Sequence, residues 1–194
     1  AHIHVSQYTA RSVLPRMSGT ALTMGHWKGT LRPEDEYASA LLAAVDYLRC
    51  GYTGFVDPGT IFEPDAVAAA ANEIGIRVWL TDPYVADLGR SLAEQLPDLV
   101  SPTFLARWPK STEEAARRIG GQLHRNRDAD GLVRAYVGVY GEGTDSEELM
   151  TTARTAAHAA GVQFQEHLGY LPSSYHAREA QLGRPLLAHF RDKG

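Results

Sequence analysis

Two periods of apolar residues alternate along this chain. Tyr37, Ala40, Leu41, Ala44, Val45 and Leu48 recur at helical spacing. Pro33 opens that helix in its first turn, where Glu34, Asp35 and Glu36 suit the positive end of the dipole, and Gly51 stops it. Residues 53–56, 76–80, 133–140 and 162–167 are short apolar runs of strand type, and 1–5 reads as a strand end. Between them the spacing predicts helices over 66–74, 89–96, 111 to about 126, 147–160, 172–182 and 185–192. Ser111-Thr112-Glu113-Glu114 and Thr144-Asp145-Ser146-Glu147 read as capping boxes. Gly75 and Gly161 are stops, and Gly183 splits the last two helices. Residues 6–31 form a long connection containing Met17-Ser18-Gly19 and Met24-Gly25-His26-Trp27-Lys28-Gly29. Loops of that length are functional or disordered, so Trp27 and His26 either line a pocket or anchor a surface loop.

Strand and helix thus alternate five times, which implies parallel strands with helical crossovers in one α/β domain over residues 1–194. A doubly wound sheet and a (β/α)₈ barrel both satisfy the pattern. No Gly-x-Gly-x-x-Gly follows the first strand, which argues against a dinucleotide-binding sheet.

Composition narrows the function classes. Of 194 residues, 44% are hydrophobic and 22% charged, enough for one sizeable core. Lys and Arg number 19 against 23 Asp and Glu, a net charge of -4, so there is no basic excess for nucleic acid and no polybasic patch for a membrane. No apolar run reaches the roughly 18 residues of a membrane span. The one cysteine, Cys50, forms no intrachain disulfide and is expected to pack at a helix end, which fits a reducing cytoplasm.

The chemistry concentrates at two strand ends. In His2-Ile3-His4 the period of two puts both imidazoles on one side and Ile3 in the wall behind. Such a pair can share one metal ion; an exposed chain end is the alternative. In Gln163-Phe164-Gln165-Glu166-His167 the same period sets Gln163, Gln165 and His167 on one face and turns Glu166 away. In a barrel, sites gather at the C-terminal strand ends, where His167 could meet His2 and His4. A core histidine bonded to backbone is the plainer reading.

Taken with Gly51-Tyr52-Thr53-Gly54-Phe55-Val56-Asp57 and Glu166-His167-Leu168, these pieces resemble the amidohydrolase superfamily, in its cytosine deaminase, chlorohydrolase and aminohydrolase branch. The resemblance implies a distorted (β/α)₈ barrel with a metal at its rim, held by His2 and His4 from the first strand and His167 from the fifth. It implies a hydrolase that uses metal-activated water on a C–N bond of an amide or amine, or on a C–halide bond, of a small molecule, cyclic ones included. Binuclear members place a lysine on the fourth strand, where 133–140 has none, so one divalent ion, Zn or Fe, is expected.

Two further departures qualify the resemblance. The family's sixth-strand histidine and eighth-strand aspartate have no counterpart here, and neither does its β-sandwich; His189 falls in a helix and is not a substitute. A full barrel takes about 250 residues, so five βα units and a partial barrel are expected, cut at its N-terminus, and completed by further chain, a partner polypeptide or self-association into a homo-oligomer. Where the family carries a glutamate three residues after the fifth-strand histidine, this chain has Tyr170, and a phenol of pKa about 10 is a poor proton shuttle. Trp27, Tyr140, Glu142 and Tyr170 sit on strand-to-helix loops and are expected to line the substrate pocket. Two rival readings are a non-catalytic truncated barrel and a TatD-like nuclease; the net charge lends the second no support.

Overall fold

The computed structural model describes residues 1–13, 23–95, 100–141, 143–169 and 172–193. The first residues run beside β1 (Gly54–Val56): His2 forms a parallel bridge to Val56, and a 3₁₀ turn, Val5–Gln7, follows. Helix α1 (Met24–Thr30) and helix α2 (Pro33–Arg49) lie between these two strand segments. Helix α3 (Pro64–Ile74) leads to β2 (Arg77–Leu80), and α4 (Gly89–Gln95), α5 (Pro102–Leu105) and α6 (Thr112–Arg118) lead to β3 (Val133–Ala135) and β4 (Val137–Gly138). Helix α7 (Glu147–Ala160), β5 (Phe164–Gln165), α8 (Pro172–Leu182) and α9 (Leu186–Lys193) complete the order.

Every pairing is parallel, and neighbours in space are neighbours in the chain. Phe55 pairs with Val78, Val78 with Val133, and Val137 with Phe164. The pairings form two parallel sheets, β1-β2-β3 and β4-β5, of an α/β fold. The strands turn one face to the helices. Ile3, Phe55, Val78 and Leu80 are buried with Ala40, Ala43, Ala44, Val67, Ala70 and Ala71, whose small side chains let α2 and α3 pack closely on each other. Val137 and Val139 pack with Leu149, Ala153 and Ala157 of α7. The opposite faces, with Val56, Trp79, Arg134, Tyr136, Gln163 and Gln165, line an open cavity of 620 Å³. Gln165, one of its lining residues, also contacts the His2 ring.

The structure corrects several expectations. The connection 6–31 contains helix α1, capped by Thr23 and bearing Trp27 and Lys28; Met17-Ser18-Gly19 lies outside the described residues. The helix expected to reach 126 stops at Arg118, because Gly120 turns to φ 87° and its N–H, with that of Gln122, donates to the Asp82 carboxylate. The strand expected over 133–140 is two, since the chain changes partner at Tyr136: Tyr136 N–H donates to Leu80 O, and Val137 N–H to Gln163 O. The cap of α7 is Ser146, which accepts from Leu149 N–H, while Thr144 Oγ1 donates to Gly141 O; the box lies two residues out of frame. Cys50 caps α2 but is exposed and does not pack. No helix among the described residues is long and apolar enough to cross a membrane.

Candidate metal centre

The strand pattern carries three imidazoles to one point. His2 and His4 point inward because Ile3, between them, is 6% exposed and packs outward with the α2 and α3 core. The strand ending at Val56 holds their backbone: Ile3 N–H donates to Val56 O at 2.9 Å and Val56 N–H to Ala1 O at 2.7 Å. On the fifth strand Phe164 packs outward, so Gln165 and His167 turn inward. His4 Nε2 lies 3.4 Å from His2 Nε2 and 3.3 Å from His167 Nε2. One ligand atom from each of the three lies within 4.8 Å of the others.

These spacings suit a shared cation. Zinc–nitrogen bonds of 2.0–2.1 Å at tetrahedral angles separate the nitrogens by about 3.3–3.4 Å. The tautomers suit it too. His167 Nδ1 is 2.6 Å from the carbonyl oxygen of Tyr140. A carbonyl only accepts, so Nδ1 carries the proton and Nε2 presents its lone pair to His4. The side-chain amide of Gln165 is 3.1 Å from His2 Nδ1. As placed, Gln165 Nε2 faces the ring and donates to Nδ1, and the amide must turn its oxygen to the ring before His2 Nε2 is bare as well. His4 Nδ1 is buried without a hydrogen-bond partner among the described residues, so nothing there fixes its tautomer.

Burial, with charge second, keeps the rings neutral. Burial first, then Lys28, His167 and His2, lowers His4 to about 3. His167 is lowered by burial, against the bond to Tyr140, and His2 by burial and the N-terminal ammonium. Neutral imidazoles are the ligand form, so at pH 7 no proton has to leave before a metal binds. Three nitrogens also leave a fourth tetrahedral position for water.

Around the rings lies a buried polar layer. Lys28 of α1 is 2% exposed, and its ammonium donates to Tyr84 OH at 2.8 Å; that hydroxyl donates to Thr60 O at 2.8 Å. Burial lowers Lys28 to about 8, opposed by Asp57 and Glu36. Burial likewise raises Asp57 to about 6 and Glu36 to about 7, opposed by the backbone N–H groups each accepts. Sequence reasoning placed Asp57 only within the stretch 51–57, read Glu36 only as a first-turn acid of α2, and gave Lys28 no role. One signal pointed to Asp57: it ends a strand at the same rim as the histidines.

The pocket candidates separate. Tyr140 reaches the site: its carbonyl holds His167, and the two rings stand 6.1 Å apart. Trp27 is half-buried on α1 and its indole N–H donates to Ser6 O, which makes it an anchor of the first connection. Glu142 and Tyr170 lie outside the described residues. Glu166 is turned away as expected; burial, with the charges of Glu166 and Asp87, pushes the Asp145 carboxyl well up. His189 lies on α9, 3.2 Å from Glu147, remote from the three histidines in the chain's packing.

The profile of the Amidohydrolase family matches residues 1–191. The chain belongs to that family. A curated relative, the 5'-deoxyadenosine deaminase of Methanosarcina acetivorans, is 26% identical over 156 residues, covering 79% of this chain and 31% of that protein. Among solved structures, the atrazine chlorohydrolase of Arthrobacter aurescens complexed with zinc superposes with a TM-score of 0.72 at 18% identity, over 98% of this chain and 44% of that one. An adenosine deaminase of Xanthomonas campestris with bound zinc gives 0.64 at 21% identity, over 85% and 33%. At such identities the two structures establish a shared α/β fold. The amidohydrolase chain described here spans about a third of its curated relative's length.

Proposed function

We propose that this chain carries the metal-binding part of an amidohydrolase that cleaves a C–N bond of an amide or amine, or a C–halide bond, in a small molecule. In this reading it forms the first five βα units of a (β/α)₈ barrel. His2, His4 and His167 hold one divalent ion through their Nε2 atoms. The observation that carries the reading is the convergence of those three imidazoles, with His4 Nε2 at tetrahedral spacing, 3.4 and 3.3 Å, from the Nε2 atoms of His2 and His167. Zinc is the first candidate, since two structural neighbours are described with zinc; iron is the second. When bound, the ion lowers the pKa of a coordinated water toward neutrality and polarises the substrate.

The chain's own residues do the rest of what is proposed here. Tyr140 O fixes the tautomer of His167 and so the direction of its lone pair. Gln165 does the same for His2 once its amide is turned with the oxygen toward Nδ1. Burial and the Lys28 charge keep protons off the ligand nitrogens. Tyr140 contributes a wall to the pocket, with Trp27, Glu142 and Tyr170 as further lining candidates. The ring of Tyr140 stacks on Tyr84 at 5.4 Å, which fixes its place.

The test is His167→Ala in the zinc-loaded protein, with metal content and hydrolysis of amide, amine and halide substrates measured on one sample. Loss of metal and of hydrolysis together is expected. Full metal occupancy in the variant would overturn the ligand assignment.

A further inference from the structure

We propose that Asp57 is a positioning residue for His4, acting through the peptide bond that follows it. The inference rests on the ligand reading above and adds the element that aims the ligand. Asp57 ends β1 and is 0% exposed. Its Oδ2 accepts the Val5 N–H at 3.0 Å, which is the N–H of the His4–Val5 peptide. Its Oδ1 accepts the N–H groups of Gly59 and Thr60, each at 3.0 Å. Its own carbonyl accepts from Tyr136 OH at 2.8 Å. The next carbonyl along, Val5 O, accepts from Ser39 Oγ of α2 at 2.7 Å. The backbone beyond His4 is therefore gripped from two sides, by a carboxylate on the β1 turn and a hydroxyl on α2.

A carboxylate suits this task better than a neutral acceptor. Its two oxygens hold Val5, 52 residues before it, and its own turn at once, and bonds to an ionised acceptor are shorter and stronger than neutral ones. The cost is a buried charge. The buried ammonium of Lys28 attracts it, and that attraction opposes the burial of both groups. Lys28 belongs to α1, in the connection that leaves His4. The segment after the ligand thus returns to cover the group that holds the ligand. Ligand sets tolerate errors of about 0.5 Å, and loss of a partner behind a ligand costs about 10–100-fold in metal affinity.

Asp82 supplies the control. It ends β2, is 3% exposed, and accepts N–H groups of Gly120 and Gln122 at 2.8 and 3.1 Å. Burial raises it to about 6, as it does Asp57, but its bonds run to the end of α6 and not to a histidine-bearing segment. The full chain is titrated with Co²⁺, reading the dissociation constant and the visible absorption, in Asp57→Asn and Asp82→Asn. Asp57→Asn is expected to weaken Co²⁺ by about 10–100-fold and to alter the band intensities, while Asp82→Asn lowers the melting temperature and leaves affinity within about twofold. Equal losses in the two, or no loss in Asp57→Asn, would overturn the proposal. Should Asp57→Asn fail to fold, Ser39→Ala removes the other grip; a several-fold loss is expected and an unchanged constant overturns the proposal. If the unsubstituted chain takes no Co²⁺, the ligand reading fails, and the grip is then read by imidazole NMR. The His4 ring signals should move in Asp57→Asn and stay in Asp82→Asn; signals unmoved in both would overturn it.

Discussion

The two strand ends that bring the histidines together are held in opposite ways. At the first, Ile3 and Val5 are 6% and 0% exposed, and the backbone around His4 is bonded to Val56, Asp57 and Ser39. At the fifth, residues 164–168 are all half-buried, and β5 pairs with β4 over two residues. His167 itself is anchored to Tyr140 O. Beyond it, Leu186 is the one core residue among the described positions of α8 and α9. A centre made from both ends therefore joins a stiff support to a soft one. The lesson is where the energy lies: the α2, α3 and β1 core secures two ligands, and the third depends on a thinner layer of packing.

The largest effect should come from cutting into each layer in turn. Phe55, 1% exposed in the first core, is expected to cost about 3–5 kcal/mol as Phe55→Ala. Phe164, half-buried over α7, should cost about 1–2 kcal/mol as Phe164→Ala. Urea melts of the two variants measure this, and equal costs would erase the comparison.

A smaller effect follows from pH in metal-free protein. His4 sits at about 3 when folded, against 6.5 when unfolded. Below pH 6.5 the unfolded chain binds the proton that the folded one refuses, so stability falls as pH drops toward 3. Asp57 and Glu36 run the other way: raised to about 6 and 7, they favour the folded state in acid and lose that contribution as pH rises through those values. Between pH 7 and 5 the gain from the carboxyls thus offsets the loss from His4 in the wild type. His4→Gln removes one side of the balance, so at pH 5 it should gain about 1–2 kcal/mol relative to its own deficit at pH 7. Parallel curves for wild type and variant would contradict the buried, neutral state of His4.

Much of this was legible in the sequence, and the reason differs by element. Helix α2 announced itself through Pro33 and its acidic first turn, and α3 and α7 through glycines that do take positive φ, Gly75 at 82° and Gly161 at 63°. The inward set of His2, His4 and His167 followed from a period of two, which survives because Ile3 and Phe164 have a core to enter. Helix α1 was illegible because two glycines and mixed polarity leave seven residues without a face. The early end of α6 was hidden because its cause is Asp82, 38 residues away. Asp57, Lys28 and Glu36 were missed for the same kind of reason: a buried charge is recognised by its partners, and those come from distant turns.

The most direct test of the account is X-ray absorption at the zinc edge on the chain loaded with one equivalent of zinc. The account predicts tight binding near one ion per chain, with imidazole scattering from three nitrogens at about 2.0–2.1 Å. Failure to retain zinc, or a shell with fewer than three imidazoles, would contradict it.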